Sequence, residues 1–162
     1  MPLMRFPRAI RLDDSDEHAY EVVARPGEWT VPGSFEFYDV AAEQLTGKRG
    51  EAFAHGFLGT ESFGRATLVE VAEISVAEHE QVVQRLAQHF VARYGAPDAA
   101  AALPAAREEA EFARSICEHP VHTMLMVERE LAADGIRERF KVVRPPDAGG
   151  HGGVKIWGPA DD

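Results

Sequence analysis

The chain has 162 residues, a length typical of one domain with a sizeable core. Hydrophobic residues make up 45% of it and charged residues 27%, fractions that exclude a mainly disordered chain. The formal net charge of -10 argues against nucleic acid and anionic membranes as partners, because both are bound through an excess of lysine and arginine.

Cysteine usage and apolar patterning point to the cytoplasm. Cys117 is the only cysteine, so no internal disulfide can form, which fits a reducing compartment. The first residues, MPLMRFPRAIRL, lack the apolar segment of a signal peptide, and no later apolar run is long enough to span a bilayer. The sequence therefore predicts a cytoplasmic protein without a membrane partner.

The first forty residues alternate between strand-like segments and turns. Residues 6–12 and 19–24 predict two short strands, and the acidic run 13–18 between them predicts a solvated turn. Carboxylates at alternate positions could bind calcium, but the run lacks the glycine and the closing glutamate of a calcium loop. Residues 28–39 are rich in aromatic side chains and predict either a strand with a bend or bulge near Pro32 or two short strands.

Residues 46–50, TGKRG, predict a loop. Their Gly-Lys pair invites comparison with a phosphate-binding loop. The sequence lacks the glycine required upstream and the hydroxyl residue required after the lysine, so this interpretation is rejected.

Two adjacent segments predict an antiparallel hairpin. Residues 51–58 and 65–74 alternate as strands do, and a short glycine-containing turn joins them. Phe53, His55 and Phe57 are predicted to share one face of the first strand. Apolar side chains occur on both faces of the hairpin, which predicts that both faces are at least partly covered.

Residues 75–94 carry the clearest helix signal in the chain. Ser75 as N-cap and Glu78 three residues later form a capping box. Gly95 can adopt the left-handed conformation that closes a helix, and Pro97 prevents its continuation. Apolar side chains at helical spacing predict one buried stripe, formed by Val82, Val83, Leu86, Phe90 and Tyr94.

Two further helices and a strand are predicted after this helix. Pro104 and Pro120 each suit a first helical position, and they open predicted helices over residues 105–117 and 121–133. The alanine-rich residues 98–103 predict either a loop or an earlier start of the first of these helices. Residues 136–143 alternate apolar and basic side chains, which predicts an edge strand with a basic solvent face.

The order of these elements predicts the fold class. Runs of strands followed by runs of helices favour an α+β fold over a doubly wound one. We expect a mainly antiparallel sheet of about four to six strands, with about three helices packed on one face. Residues 1–146 are predicted to form one domain, and residues 147–162 a flexible glycine-rich tether with a C-terminal tail.

The segment CEHPVH, residues 117–122, is the main candidate for metal binding or covalent chemistry. Cys117, His119 and His122 supply a thiolate and two imidazoles, which are suitable ligands for zinc or another transition metal. The segment lacks a paired metal motif, and a catalytic Cys-His pair would need a third group to orient it. Alternatively, His119 caps a helix, His122 lies on the flank of the next, and Cys117 packs as a small hydrophobic residue.

His55 is the second candidate. Between Phe53 and Phe57 it would lie in an apolar pocket, where burial favours the neutral imidazole that suits a general base. A pocket lined by aromatic rings around one polar group is also the usual pattern of a ligand site. The alternative is a histidine that is simply hydrogen-bonded in a core or interface.

The stretch FAHGFLGTESFGRATLVEV, with most of the chain around it, resembles an uncharacterised family of small bacterial, chiefly proteobacterial, proteins. The resemblance implies a bacterial cytoplasmic protein of unknown function. It brings no catalytic motif, cofactor or binding residue, and it favours an accessory or partner-binding role.

Two functions from different classes follow. The first is a non-enzymatic binding or accessory protein without a cofactor, acting through protein–protein contacts and self-associating as a homodimer. A twofold interface would bury the apolar hairpin face against itself, although the apolar segment 154–157 could cover that face instead. The second is a small enzyme or metal-binding protein that uses the Cys117–His119–His122 corner or the His55 pocket.

Overall fold

The computed structural model describes residues 3–143, and within this range the chain has the predicted α+β fold. The predicted tether and tail, residues 147–162, lies outside the described residues. The main elements are, in chain order, β1 (Met4–Ile10), α1 (Ser15–Ala19), β2 (Thr30–Val31), α2 (Gly47–His55), β3 (Phe57–Gly59), β4 (Arg65–Ala66), β5 (Leu68–Ile74), α3 (Val76–Tyr94), α4 (Ala99–Ser115), β6 (Met124–Ala132) and β7 (Gly135–Val143).

The strands form two antiparallel sheets. The larger sheet has the order β1-β5-β6-β7, and the smaller one has the order β2-β3-β4. An antiparallel bridge between Arg8 and Trp29 links β1 to the residue before β2. The four-stranded sheet is of the predicted size, and α2, α3 and α4 are the three helices that accompany it. None of the helices in residues 3–143 has the length and apolar character needed to cross a membrane.

Helix α3 confirms the strongest local prediction. The Ser75 hydroxyl accepts a hydrogen bond from the Glu78 amide, and the Glu78 carboxylate accepts one from the Ser75 amide, each at 3.1 Å. Gly95 follows with a φ of 80°, in the left-handed region that closes a helix. The buried stripe predicted from the spacing faces the core through Val82, Val83 and Leu86.

Helix α4 begins at Ala99, so the alanine-rich residues before Pro104 form the earlier of the two predicted helix starts and not a loop. Asp98 caps it by accepting a hydrogen bond from the Ala101 amide at 2.8 Å. The alanines that follow have the highest helix propensity of any residue. This combination is strong enough to carry the helix through Pro104, although proline removes one backbone hydrogen bond.

The helix predicted over residues 121–133 is wrong, because this segment is strand β6. Leu125, Val127 and Arg129 are buried at alternate positions, which is the two-residue period of a strand. Because the third of these buried positions is an arginine, the segment lacks the apolar alternation by which a strand is recognised in a sequence. Gly135 pairs with Ala132 across a two-residue hairpin turn that joins β6 to β7.

Two predicted strands in the first half are also wrong. Residues 51–58 form the end of α2 and the start of β3, so the apparent alternation is divided between a helix and a strand at Gly56. Residues 19–24 form no strand, since Ala19 ends α1 and Val23 makes only an isolated bridge to Arg65. The acidic run before them folds into the one-turn helix α1, and its Asp16 is buried because the side chain accepts hydrogen bonds from the amide and hydroxyl of Thr67.

Both apolar faces of the predicted hairpin are covered within the chain itself. Leu58 and Ile74 lie in a core cluster with α3 and α4, whereas Phe57, Val69 and Val71 lie in a second cluster. The second cluster is completed by Cys117, Leu125 and Val127. The patch from which the sequence analysis inferred a homodimer is therefore buried in the monomer.

Arg129 joins β6 to three other segments of the chain. Its Nε donates to Glu138 on β7 at 2.6 Å. Its Nη1 donates to the carbonyl oxygens of Phe53 at 2.8 Å and Gly56 at 3.0 Å, and its Nη2 donates to that of Pro32. The side chain is fully shielded from solvent, so these bonds replace its whole hydration shell.

Arg65 makes a similar set of bonds from β4. Its Nη1 donates to the Gly56 carbonyl at 3.0 Å, and its Nη2 donates to the Gly33 carbonyl at 3.1 Å and to Glu36 at 2.7 Å. Together, Arg65 and Arg129 fix the segment of residues 32–36 against the end of α2.

We expect Arg129→Met to lower the free energy of unfolding by about 3–5 kcal/mol, because it leaves the Glu138 carboxylate and the buried carbonyls of Phe53 and Pro32 without their donor. Arg139→Met is the matched control. Arg139 lies on β7 with its side chain largely in solvent and paired with Glu128, so its loss should cost far less than the loss of Arg129. Urea unfolding of both variants measures the difference, and equal losses would contradict the role of Arg129.

Candidate functional site

A cavity of about 420 Å³ opens between the start of α2, the short 3-10 helix Ser34–Phe37 and the end of α3. Its volume falls within the range of about 300–1,000 Å³ that is usual for small-molecule sites. The walls are formed by aromatic and cationic side chains, chiefly Tyr20, Phe37, Lys48, Arg49, Arg93 and Tyr94. We refer to it as the cationic cavity.

Lys48, Arg49 and Arg93 give the cavity its charge. Most other lysines and arginines of residues 3–143 lie within 4.0 Å of a carboxylate oxygen, but these three have no such partner within the described range. The lining carries four cationic side chains, these three and Arg65, against the carboxylates of Glu21 and Glu36. The cavity is therefore locally positive in a chain whose formal net charge is -10.

Phe37 orders two of these guanidinium groups. The Arg65 guanidinium carbon lies 4.9 Å from the centre of the Phe37 ring, and that of Arg49 lies 5.8 Å from it. Both distances are within the range of cation–π attraction. Phe37 itself packs edge to face on Phe53 of α2, with ring centres 5.3 Å apart. Arg49 is thus held beside the cavity without a neutralising carboxylate.

Glu36, which lines the cavity, forms an ion pair with Arg65. Burial raises the pKa of Glu36, but a hydrogen bond from His89 at 3.0 Å and the adjacent Arg65 charge outweigh it and lower the pKa to about 2. Because an ionised carboxylate only accepts hydrogen bonds, Nε2 of His89 carries the proton in this contact. His89 is in turn stacked on Phe63, with ring centres 3.9 Å apart. Glu36 is a fixed anion at neutral pH rather than a proton acceptor.

The two phenols of the cavity stay protonated. Burial and the neighbouring Glu36 carboxylate raise the pKa of Tyr94. Burial also raises the pKa of Tyr20 to about 12, with its hydroxyl 2.6 Å from that of Thr67. Both groups can donate or accept hydrogen bonds, and neither is a base at neutral pH.

An apolar groove of about 720 Å³ adjoins the cavity. It runs between residues 35–44 and the junction of α3 with α4, and it shares Glu36, Arg49 and Tyr94 with the cavity. Its apolar lining includes Phe35, Tyr38, Val40, Phe90, Pro97 and Ala105. The charged cavity and the apolar groove are therefore neighbours, with Glu36, Arg49 and Tyr94 between them.

The predicted Cys117–His119–His122 corner does not gather its donors. Cys117 is buried in the second core cluster, and burial raises the pKa of its thiol to about 12. His122 is exposed, with Nδ1 3.3 Å from a Glu70 oxygen, and the backbone carbonyl of His119 accepts a hydrogen bond from Arg5. Within residues 3–143, no group of three or more histidine, cysteine or acidic side chains is placed to hold a metal ion.

His55 is not in the predicted aromatic pocket. It is the last residue of α2, whereas Phe57 belongs to β3, so the two side chains do not share a strand face. His55 is partly buried, and its Nδ1 lies 3.3 Å from the Val127 carbonyl oxygen. It lines neither the cationic cavity nor the apolar groove.

The sequence analysis missed the residues that line the cavity. Lys48 and Arg49 were considered only as part of a phosphate-binding loop, and Arg93 only as the end of a helix. The sequence did contain one local signal for unpaired cations: Lys48 and Arg49 are consecutive, and residues 44–50 include no acidic residue. Nothing local shows that Arg93, more than forty residues later, joins them.

Comparison with known proteins gives one match. The model of the Family of unknown function (DUF6505) matches residues 4–155. No curated protein and no solved structure matches the chain.

Glu36 should make stability depend on pH. Its folded pKa of about 2 lies below its ordinary value of 4.5, so its stabilising effect is present above about pH 4.5 and is lost as the pH falls toward 2. We expect Glu36→Gln to lower the free energy of unfolding by about 1–3 kcal/mol at neutral pH, and the difference from wild type to shrink between about pH 4.5 and 2. Urea unfolding across this interval tests it. Glu43→Gln, at an exposed carboxylate, is the control, and a pH-independent effect of Glu36→Gln would contradict the prediction.

Proposed function

The chain therefore belongs to the DUF6505 family of unknown function, and from its geometry we propose that it is a non-enzymatic binding protein whose ligand site is the cationic cavity. One observation carries the proposal. Lys48, Arg49 and Arg93 converge on one cavity, and none of them is neutralised by a carboxylate within the described residues. Unpaired cations that line a concave aromatic site are suited to bind an anion.

The protonation states of the site favour binding over acid–base catalysis. Glu36 is held ionised by Arg65 and His89, and the phenols of Tyr20 and Tyr94 stay protonated. A general base is most effective when its pKa lies near the operating pH, and none of these pKa values does. The buried thiol of Cys117, with its raised pKa, is likewise unsuited to nucleophilic attack.

The ligand that fits the cavity carries a phosphate or a carboxylate. Two arginines and a lysine offer several N–H donors to oxygen acceptors, and guanidinium groups bind such anions in bidentate fashion. An aromatic wall such as Phe37 excludes water around the contacts and strengthens them.

Titration with inorganic phosphate, followed by two-dimensional NMR, tests the proposal. We expect saturable shifts of the Lys48, Arg49 and Arg93 amide signals, weakening as ionic strength rises. Lys48→Gln and Arg93→Gln should each weaken binding by about threefold to tenfold, because each removes one exposed cation from the contact. Arg25→Gln is the matched control. Arg25 is also exposed and lacks a carboxylate partner in the described residues, but it lies outside the cavity.

Phosphate that causes no saturable shifts would contradict the proposal. Equal weakening by Arg25→Gln and Arg93→Gln would contradict it too, since the effect would then come from total charge rather than from the cavity.

A second candidate function is self-association through the β6–β7 hairpin. Phe112, Leu131 and Val142 are 39%, 39% and 45% exposed. Val142 of β7 pairs with Leu125 of β6, so the two side chains lie on the same face of the sheet. Leu131 lies an even number of residues after Leu125 on β6 and therefore shares that face. Phe112 packs on the same face through Phe140, with ring centres 5.6 Å apart. Exposed apolar side chains at the two ends of one hairpin face can contribute to a partner surface, and a twofold homodimer would bury them between two copies of the chain.

Sedimentation equilibrium of wild type and Val142→Glu tests this second candidate. We expect a homodimer at micromolar concentration, weakened by about tenfold or more in Val142→Glu because a charge would be buried at the interface. Val76→Glu, at an equally exposed valine on the start of α3, should leave the association unchanged. A monomer at every concentration, or equal effects of the two substitutions, would remove this function.

A further inference from the structure

The cationic cavity and the apolar groove meet along a shared wall. Glu36, Arg49 and Tyr94 line both. Since the Glu36 carboxylate is paired with Arg65 and hydrogen-bonded to His89, the unpaired charge at the junction is that of Arg49. A ligand whose charged end lies in the cavity can therefore extend into the groove without crossing an uncompensated anion.

Charged side chains are unevenly distributed along the groove. Among the described residues that line it, Arg49 alone is cationic, and it lies at the end next to the cavity. The acidic Asp39 also lines the groove, so a second negative charge within a bound ligand would be disfavoured there. One anionic end and an uncharged remainder fit this distribution of charge.

The apolar wall is preformed. Phe35 packs edge to face on Phe90 at 4.9 Å and on Tyr94 at 5.7 Å, so the three rings hold one another in place. Rings fixed in this way can contact a ligand without losing further conformational freedom. The alanines at the start of α4, including Ala105, leave room beside these rings.

We propose that the site binds an amphipathic anion, a small molecule with one phosphate or carboxylate group and a single apolar chain. The anionic group lies against Lys48, Arg49 and Arg93, and the chain lies in the groove against Phe35 and Phe90. This inference rests on the proposed function of the cavity and adds the class of ligand. A free small molecule is favoured over a lipid bilayer, because the protein carries a net charge of -10 and anionic membranes would repel it.

Calorimetric titrations with five probes test the inference: inorganic phosphate, acetate, decanoate, decyl phosphate and decyltrimethylammonium, each kept below micelle formation. We expect decanoate to bind at least about tenfold more tightly than acetate, and decyl phosphate at least about tenfold more tightly than inorganic phosphate, because methylene groups leave water. The two anionic amphiphiles show which headgroup is preferred. Decyltrimethylammonium has the same chain with a cationic head and should not compete with decanoate.

A matched pair of variants tests whether the decyl chain of the ligand lies in the groove. Ala105→Gln puts a polar side chain into the groove and should reduce the gain from the decyl chain by about threefold or more, while the affinity for inorganic phosphate changes by less than about twofold. Ala100→Gln, at another exposed position of α4 outside the groove, should change neither affinity. Intermolecular NOEs from the decanoate methylenes to the rings of Phe35 and Phe90 give an independent readout.

The outcomes separate this inference from the function on which it rests. If inorganic phosphate binds at the cavity but the decyl chain adds no affinity, the amphipathic ligand is wrong and the anion site stands. If no anion binds, both are wrong. Equal binding of decyltrimethylammonium, or binding only to anionic vesicles and not to the single amphiphiles, would overturn the inference as well.

Discussion

The carbonyl oxygen of Gly56 accepts hydrogen bonds from two buried guanidinium groups, those of Arg65 and Arg129, each at 3.0 Å. Two like charges on one acceptor are stable only where opposite charges compensate them. Glu36 does so for Arg65 and Glu138 for Arg129. This arrangement ties four distant segments together: residues 32–36, the end of α2, and strands β4 and β6. Because removing either carboxylate would leave an uncompensated buried cation, the network acts as one unit rather than as two independent ion pairs.

The candidate site depends on this network. Gly33 is held from both sides, since its carbonyl accepts from Arg65 and its amide donates to Glu109 at 2.9 Å. Burial raises the pKa of Glu109, and that hydrogen bond only partly offsets the effect. With Gly33 fixed, the following 3-10 helix presents Phe35 to the groove and Phe37 to the cavity. The network is also nearly neutral, so the field in the cavity comes from the exposed cations and not from the buried ones.

The sequence predicted those parts of the fold that depend on local signals. Helix α3 was found from its caps and apolar spacing, and the strands β5 and β7 from their alternation. Strand β6 was missed because Arg129 occupies a buried position, and arginine at such a position resembles a solvent face. Its partners at Pro32, Phe53 and Gly56 lie more than seventy residues away in sequence, and no local pattern connects them. The candidate site was missed for the same reason, since its cations come from α2 and α3 and meet only after folding.

The distribution of charge suggests how such a site would select its ligand. Exposed charges act over about 8–10 Å at physiological ionic strength, so a polyanion is repelled only when its length lies along the surface and meets the many carboxylates of a chain with a net charge of -10. A small anion that enters the cavity comes within reach of Lys48, Arg49 and Arg93 while the acidic remainder of the chain is screened. We therefore expect the acidic surface to favour small anions over nucleic acid and anionic membranes. The acidic composition and the cationic cavity are then two parts of one mechanism of selection, because a protein with a basic surface could hold the same small anion but would also attract the polymers.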